Sequence, residues 1–140
     1  MFAHRRAVTI EWGDCDPAGI VYFPRYLAIF DACTWALFTA ALGTGKRELL
    51  ARYGTVGCPM VDLRTRFLAP CTFGDEVVVE TRIEALRRSS FEVRHRLLKA
   101  GELAVEGVET RVWSAPDPER PGHIRSQPIP DEVRVRLEGS

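Results

Sequence analysis

The chain has 140 residues, of which 46% are hydrophobic, and its 19 lysines and arginines are balanced by 19 aspartates and glutamates. A chain of this length and composition can bury one hydrophobic core, so we expect a single folded domain over residues 1–140. Because the net charge is zero, the chain lacks the overall positive charge typical of proteins that bind nucleic acids or membrane surfaces, and we expect a small-molecule partner instead.

No apolar run reaches the roughly 20 residues that a membrane-spanning helix needs, and the first residues lack the apolar stretch of a secretory signal. We therefore expect a cytoplasmic protein. Four cysteines and three histidines are scattered along the sequence without a Cys-x-x-Cys pair. This dispersion predicts neither a disulfide nor a metal site, and we interpret all four cysteines as structural.

A strand leads into a tight turn near the N-terminus. Val8, Ile10 and Trp12 alternate with polar residues, which predicts a half-buried strand. Residues 13–19, Gly-Asp-Cys-Asp-Pro-Ala-Gly, then form the turn, in which we expect Asp14 to act as a capping or turn residue. Asp16 either serves only this turn or is a functional carboxylate that the strand delivers to the next element.

A long apolar helix is predicted after the turn. Apolar residues recur at helical spacing around most of the circumference of residues 24–42, so the helix should be largely buried. Pro24 suits the first helical position because it lacks an N–H group, and Gly43 with Gly45 provides the end. Asp16 would then face the free N–H groups of a helix start, an arrangement that suits acyl transfer.

Four strand-like segments follow a polar stretch, residues 46–53, which either extends the helix or follows it. They cover roughly residues 60–68, 76–86, 91–99 and 103–113. The short turns at 87–90 and 100–102 predict antiparallel neighbours. One long helix with about five strands gives an α+β domain. The Pro-rich residues 115–130 are predicted to be irregular, and residues 131–137 to form a short helix or strand.

Residues 13–26, Gly-Asp-Cys-Asp-Pro-Ala-Gly-Ile-Val-Tyr-Phe-Pro-Arg-Tyr, together with Asp31, resemble the 4-hydroxybenzoyl-CoA thioesterases of the hotdog fold. Residues 57–61 and 87–91 lie where that family begins its second strand and contacts coenzyme A, and the likeness extends over about residues 7–115. The resemblance implies a long central helix wrapped by a roughly five-stranded antiparallel sheet. It also implies a homo-oligomer, a dimer or a dimer of dimers, with active sites at the subunit interface.

The resemblance also implies the catalytic groups. Asp16 matches the family's catalytic carboxylate, and the backbone N–H of Phe23 matches a donor that holds the thioester oxygen. Asp16 would either attack the carbonyl, giving an enzyme-bound anhydride, or act as a base toward water. The expected substrate is an aromatic acyl-CoA of the 4-hydroxybenzoyl-CoA or benzoyl-CoA type, without a separate cofactor because coenzyme A is part of the substrate.

The short turn after the second long strand is the candidate coenzyme A site. Arg87 and Arg88 would bind its phosphates through their guanidinium groups, while Ser89 and Ser90 add hydroxyl and amide donors. The structural alternative is a solvated hairpin, which is the usual setting of surface arginines. The position in the resembled family favours the coenzyme A interpretation.

Three further residues are candidates for contacts with the acyl group. Asp31 lies in an apolar helix, so it needs either an ion-pair partner or a substrate pocket. Tyr22, beside Phe23, lines an aromatic acyl pocket or belongs to the core. Cys58 stands where the resembled aryl enzymes have a threonine, and Phe23 replaces a tyrosine, so the hydrogen bonds that those two hydroxyl groups would offer the acyl group are missing.

Other functions have their own sequence signs. Acyl-CoA thioesterases associated with the Tol-Pal system act on short aliphatic chains and tend to have a histidine where this chain has Pro24. The proline therefore favours a thioesterase that acts on aromatic acyl-CoAs. A non-catalytic acyl-CoA-binding hotdog domain would have another residue in place of the catalytic acid at position 16. An enoyl-CoA hydratase would need an acid-base pair, usually with a histidine, near the motif, and no histidine follows Asp16 at short spacing. We interpret His95 as a strand residue rather than an acid-base group.

Overall fold

The computed structural model describes residues 1–139 as seven strands and three helices. In chain order these are β1 (Ala3–Thr9), α1 (Phe23–Leu42), α2 (Lys46–Tyr53), β2 (Met60–Phe67), β3 (Glu76–Leu86), β4 (Ser90–Lys99), β5 (Glu102–Val112), β6 (Ser114–Pro116), β7 (Ile124–Ser126) and α3 (Asp131–Glu138). Within the described residues, no single helix is long and apolar enough to cross a membrane, although α1 and α2 together pass that test as a pair bent by 67°.

Five strands form one antiparallel sheet in the order β1-β3-β4-β5-β2, so β1 and β2 are its edges. Strands β3, β4 and β5 alternate buried and exposed side chains, as expected for strands with one face against a core. The buried face packs against α1. The α+β class and the hotdog architecture, a long helix wrapped by a five-stranded antiparallel sheet, are confirmed.

Helix α1 lies close to the middle of the sheet because Gly107 of β5 has no side chain. The ring of Phe30 occupies the space above Gly107, and a Cβ atom added there would lie 2.9 Å from Phe30 Cε2. The same ring stacks on the imidazole of His95, the cross-strand partner of Gly107, with the ring centroids 4.7 Å apart. Phe30 and His95 are both fully buried, so this contact fixes the depth of the helix.

Several predicted boundaries need correction. The first strand ends at Thr9 rather than Trp12, because residues Trp12–Asp14 form a 3-10 turn and the Trp12 side chain is exposed. Helix α1 begins at Phe23, one residue before the predicted start. Residues 46–53 form a separate helix, because Gly43 takes a left-handed conformation, φ 70°, that ends α1.

The C-terminal region is more regular than predicted. Strands β6 and β7 pair as a small antiparallel hairpin within the segment that the sequence marks as irregular. Their pairing depends on a contact across the intervening Pro-rich loop, which local sequence patterns do not reveal. The last predicted segment is a helix, α3, whose Val133 and Leu137 are fully buried.

Candidate active site

Asp14 fixes the loop that joins β1 to α1. Its carboxylate accepts hydrogen bonds from the Glu11 N–H at 2.9 Å and from Arg25 Nε at 3.0 Å, and its carbonyl accepts one from the Tyr22 N–H at 2.8 Å. Because Arg25 lies in the first turn of α1, these bonds tie the loop to the start of the helix. Asp14 therefore has the turn-forming role expected of it.

Asp16 lies at the tip of this loop with only part of its carboxylate engaged. Its Oδ1 accepts a hydrogen bond from the Ala18 N–H at 2.8 Å, and its own N–H donates to the Ile20 carbonyl at 3.0 Å. Asp16 as a residue is half-buried, and among residues 1–139 its carboxylate belongs to no ion pair. Oδ1 thus supports the turn, while Oδ2 remains available to a substrate or a water molecule.

The start of α1 offers a main-chain donor near this carboxylate. Within the described chain the N–H of Phe23 has no hydrogen-bond acceptor, Pro24 has no N–H, and the Arg25 N–H turns back to the Tyr22 carbonyl at 2.8 Å. A free N–H at the start of a 20-residue helix also lies at the positive end of the helix dipole. Phe23 can therefore donate to an anionic oxygen.

An apolar cleft of about 380 Å³ adjoins the helix start. Its walls include Phe23 and Tyr26 from α1, Phe67 at the end of β2, and Leu68 and Pro70 just after that strand. The Phe23 and Phe67 rings meet edge to face with centroids 6.4 Å apart. Such a cleft suits an aromatic group, since aromatic rings favour edge-to-face contacts.

Two tyrosines near this cleft differ in their surroundings. Tyr26 is buried, its Oη accepts a hydrogen bond from the Cys71 N–H at 3.1 Å, and burial raises its pKa well above the ordinary range, so it stays neutral. Tyr22 is half-exposed, and its ring lies edge to face with that of Phe23, with the two ring centroids 5.6 Å apart. Tyr26 is thus a core residue, whereas Tyr22 is free to contact a ligand.

Asp31 and Cys58 are brought together by Arg111 of β5. The Arg111 Nη2 donates to Asp31 Oδ1 at 2.7 Å, and its Nη1 donates to the Cys58 carbonyl at 3.2 Å. The Asp31 side chain is 53% exposed, whereas that of Arg111 is only 5% exposed. Asp31 thus has the ion-pair partner that its helical position requires, and it also reaches the surface.

Arg111 and Glu109 are absent from the sequence candidates, although β5 carries a signal for them. Both fall on the buried phase of the alternation, where an apolar residue is the usual choice, and Glu109 is fully buried. His95 lies on the buried phase of β4 in the same way. Burial raises the pKa of Glu109, but the contacts from His95 and Arg111 outweigh it and hold that pKa below its usual range, which favours the ionised carboxylate.

The turn between β3 and β4 is pinned by main-chain bonds. The Arg87 N–H donates to the Ser90 carbonyl at 2.8 Å, and the Ser89 carbonyl accepts a bond from the Trp113 N–H at 2.8 Å. The Arg87 guanidinium pairs with Glu92. The side chain of Arg88 is exposed and has no ion-pair partner among residues 1–139, so it is the freer of the two arginines.

The predicted groups lie at opposite ends of the sheet. The start of β3 lies beside the loop that carries Asp16, since the Ile10 N–H donates to the Asp75 carbonyl at 2.8 Å. The end of β3 leads directly into Arg87, and Arg111 lies at that same end because Phe91 pairs with both Leu86 and Arg111. The 11 residues of β3 span about 33 Å. A single chain therefore does not bring the two groups together.

The cysteines carry free thiols, and three of the four are buried. Burial raises the pKa of Cys58 to about 12 and also raises the pKa values of Cys33 and Cys71, so these three are poor nucleophiles at neutral pH. Cys15 is half-buried. Within residues 1–139 no three His, Cys, Asp or Glu side chains lie together as metal ligands would.

The chain is similar to proteins that act on thioesters. Residues 10–137 match the model of the thioesterase-like superfamily. The chain is 35% identical over 116 residues to 4-hydroxybenzoyl-CoA thioesterase of Pseudomonas sp. (strain CBS-3), covering 79% of this chain and 82% of that protein. It is 34% identical over 102 residues to 1,4-dihydroxy-2-naphthoyl-CoA hydrolase of Picosynechococcus sp. (strain ATCC 27264 / PCC 7002 / PR-6), covering 72% and 66% of the two chains.

A solved structure extends the comparison from sequence to three-dimensional geometry. The crystal structure of a 4-hydroxybenzoyl-CoA thioesterase mutant complexed with 4-hydroxybenzoyl-CoA superimposes with a TM-score of 0.88 at 30% sequence identity. The match covers 98% of this chain and 99% of that one. The likeness thus extends over the whole of the sheet, the long helix and the loop between them.

Proposed function

This chain belongs to the thioesterase-like superfamily and is an acyl-CoA thioesterase, and we propose that it hydrolyses aromatic acyl-CoAs of the 4-hydroxybenzoyl-CoA or benzoyl-CoA type. The products are the carboxylic acid and free coenzyme A. One observation carries the proposal: the half-buried Asp16, without an ion pair among residues 1–139, shares its loop and helix start with the unpaired N–H of Phe23. The adjoining cleft is lined with aromatic rings.

The two groups divide the chemistry of thioester hydrolysis. The Phe23 N–H stabilises the negative charge that develops on the carbonyl oxygen, a contribution typically worth about 2.7–4 kcal/mol per donor. Asp16 either forms the new C–O bond itself, giving an anhydride that water then opens, or removes a proton from the attacking water. In both routes the C–S bond breaks and coenzyme A leaves as a thiolate, which needs no strong general acid.

The remaining candidates divide between the acyl group and coenzyme A. Tyr22, with its half-exposed ring, and Asp31 and Cys58, joined through Arg111, contact the acyl group. Arg88 binds a coenzyme A phosphate, and Arg87 with Ser89 and Ser90 shapes the turn around it. Coenzyme A enters as part of the substrate, so the reaction needs no separate cofactor.

A second copy of the chain completes the site. Strand β2 is a sheet edge with exposed apolar side chains at both ends, Met60 and Val61 at one and Phe67, followed by Leu68, at the other. An exposed apolar edge is a template for strand pairing, and two-fold pairing of identical edges is antiparallel. The Asp16 end of one subunit then lies beside the Arg111 end of its partner, so the two groups separated by β3 meet across the interface.

The aryl preference rests on the cleft and on the relatives. Both similar proteins named above act on aromatic acyl-CoAs, one with a single ring and one with a naphthoyl group. The Phe23 and Phe67 rings favour a flat aromatic acyl group over a flexible chain. We further propose that the chain is one thioesterase domain that works in the cytoplasm as a dimer or a dimer of dimers.

Replacing Asp16 tests the proposal. Asp16→Asn should fold and bind aroyl-CoA normally but lose turnover by orders of magnitude, measured as release of free thiol from 4-hydroxybenzoyl-CoA and benzoyl-CoA. Asp117→Asn is the matched control, because Asp117 Oδ1 accepts a bond from the Glu119 N–H at 3.0 Å in the same local turn geometry. Normal turnover by Asp16→Asn would reject the catalytic role.

The same assay tests the substrate class and the alternatives. A panel of aroyl and straight-chain acyl thioesters should give higher kcat/KM for the aroyl members. Equal or better kcat/KM for short aliphatic chains would favour the Tol-Pal type of activity. Tight aroyl-CoA binding without any thiol release by the wild-type protein would instead indicate a non-catalytic binding domain.

A further inference from the structure

The turn between β3 and β4, residues 87–89, is held by the part of the chain that follows β5. All three of its carbonyl groups accept hydrogen bonds from there: that of Ser89 from the Trp113 N–H at 2.8 Å, that of Arg88 from the Ile129 N–H at 2.8 Å, and that of Arg87 from the Arg134 guanidinium. The same Nη2 atom of Arg134 also reaches the Arg88 carbonyl at 3.4 Å. One side chain of α3 and two main-chain N–H groups therefore hold the turn.

The main-chain donors of this turn point the other way. In a trans peptide the C=O of one residue and the N–H of the next lie on opposite sides of the chain. Because the carbonyls of Arg87 and Arg88 face α3, the N–H groups of Arg88 and Ser89 face away from it, and among residues 1–139 neither N–H has a hydrogen-bond acceptor. Successive free N–H groups of this kind form a concave site for an anion.

Arg134 leaves the carboxylates of its own helix unpaired. Asp131 lies three residues before it and Glu138 four residues after it, at spacings where ion pairs form on a helix. Arg134 nonetheless forms no ion pair among residues 1–139 and donates to the two carbonyls instead. No carboxylate therefore neutralises its positive charge, which stays beside the turn together with that of the equally unpaired Arg88. Closing a turn needs a donor but no charge, so stability alone does not account for an arginine here.

We propose that Arg134 is a positioning residue of the coenzyme A site. It holds the carbonyls of Arg87 and Arg88 toward α3, and this turns the free N–H groups of Arg88 and Ser89 toward a phosphate of coenzyme A. The inference rests on the proposed function, in which this turn binds coenzyme A. Helix α3 thereby takes part in substrate binding through the turn, and it leaves the chemistry at the start of α1 unchanged.

The test compares KM for an aroyl-CoA with KM for the matching aroyl-pantetheine, which lacks the nucleotide and its phosphates. Arg134→Met keeps the aliphatic stem but removes every donor. It should raise KM for aroyl-CoA about fivefold, the size expected for one lost hydrogen bond, and leave kcat and KM for aroyl-pantetheine unchanged. Arg134→Lys, which restores a charged donor, should recover part of the loss. Arg136→Met is the matched control, because Arg136 is exposed on the same helix and has no bond to the turn among residues 1–139.

Coupling to Arg88 shows whether Arg134 acts through the turn. In an Arg88→Ala background, Arg134→Met should raise KM for aroyl-CoA by a smaller factor than it does in the wild-type enzyme. Full additivity of the two effects would contradict positioning of the turn.

Two further results would overturn the inference. One is an unchanged KM for aroyl-CoA in a folded Arg134→Met variant, judged by its thermal midpoint. The other is an equal loss with both substrates, whether in KM or in kcat, since general loosening of the fold has that effect. If the wild-type enzyme releases no thiol from either substrate, the proposed function fails and the inference falls with it. If the wild-type enzyme is active and Arg134→Met matches it on aroyl-CoA, the inference alone fails.

Discussion

The two polar regions along α1 differ in whether their groups already have partners. At the helix start, Asp16 Oδ2 and the Phe23 N–H have none among residues 1–139. At the sheet end that carries Arg111, its guanidinium donates to three acceptors, one of which is Asp31. Free groups suit bond making and breaking, since they pair only with substrate, whereas groups that are paired with one another suit positioning.

The largest effect should come from removing the free donor at the helix start. Phe23→Pro deletes the N–H at a helical position that accepts proline, because Tyr22 before it is already extended at φ −67° and ψ 123°. Phe23→Ala is the matched variant, since it also loses the ring but keeps the N–H. We expect kcat of the proline variant to fall about 10²–10³-fold below that of the alanine variant.

Equal kcat values for the two Phe23 variants would mean that the ring matters and the N–H does not. The helix start would then, like the Arg111 end of the sheet, contribute no free group to the making and breaking of bonds. Circular dichroism and the thermal midpoint should be compared first, so that only folded variants enter the kinetic comparison.

A smaller effect on activity is expected at the opposite end of the sheet, where the turn between β3 and β4 would bind coenzyme A. Arg88→Ala should raise KM for aroyl-CoA about tenfold with little change in kcat, because a phosphate contact is made in both ground and transition states. Arg120→Ala, another exposed turn arginine, is the control. The increase should vanish with an aroyl-pantetheine substrate, which lacks the nucleotide, and an equal increase there would refute the phosphate role.

The smallest effect is expected where α1 packs closely on the sheet, between the two regions. Gly107→Ala places a methyl group 2.9 Å from Phe30 Cε2, so the ring or the helix must shift. We expect a loss of about 1–3 kcal/mol in the free energy of unfolding, measured in urea at fixed protein concentration. Gly45→Ala, where an added Cβ meets nothing within 4 Å, should change it much less, and equal losses would argue against a tight helix seat.

Features encoded by short stretches of sequence were predictable. Helix α1, the strands β3, β4 and β5 and the loop with Asp16 follow from periodicity, turn residues and the 13–26 motif, and the fold confirms those elements. The expected partner of Asp31 could be inferred only in kind. Its identity, Arg111, lies 80 positions away in sequence and depends on strand register, which local patterns do not fix.

The separation of the candidate groups within one chain was equally hidden from the sequence. A motif names Asp16 and Arg88 without giving their distance, and only the strand order shows that β3, about 33 Å long, separates them. The composite site across β2 is the consequence that now needs a direct experiment.

Mixed oligomers provide that experiment. Asp16→Asn should be nearly inactive alone, and Arg87→Glu/Arg88→Glu should be nearly inactive at substrate concentrations far below its raised KM, where the assay is run. A hybrid of the two has one intact site only if Asp16 of one subunit works with Arg87 and Arg88 of its partner. Statistical co-assembly makes half of the dimers hybrids, so thiol release should recover to about a quarter of the wild-type rate. A mixture no more active than its two parents would contradict a site built across the interface.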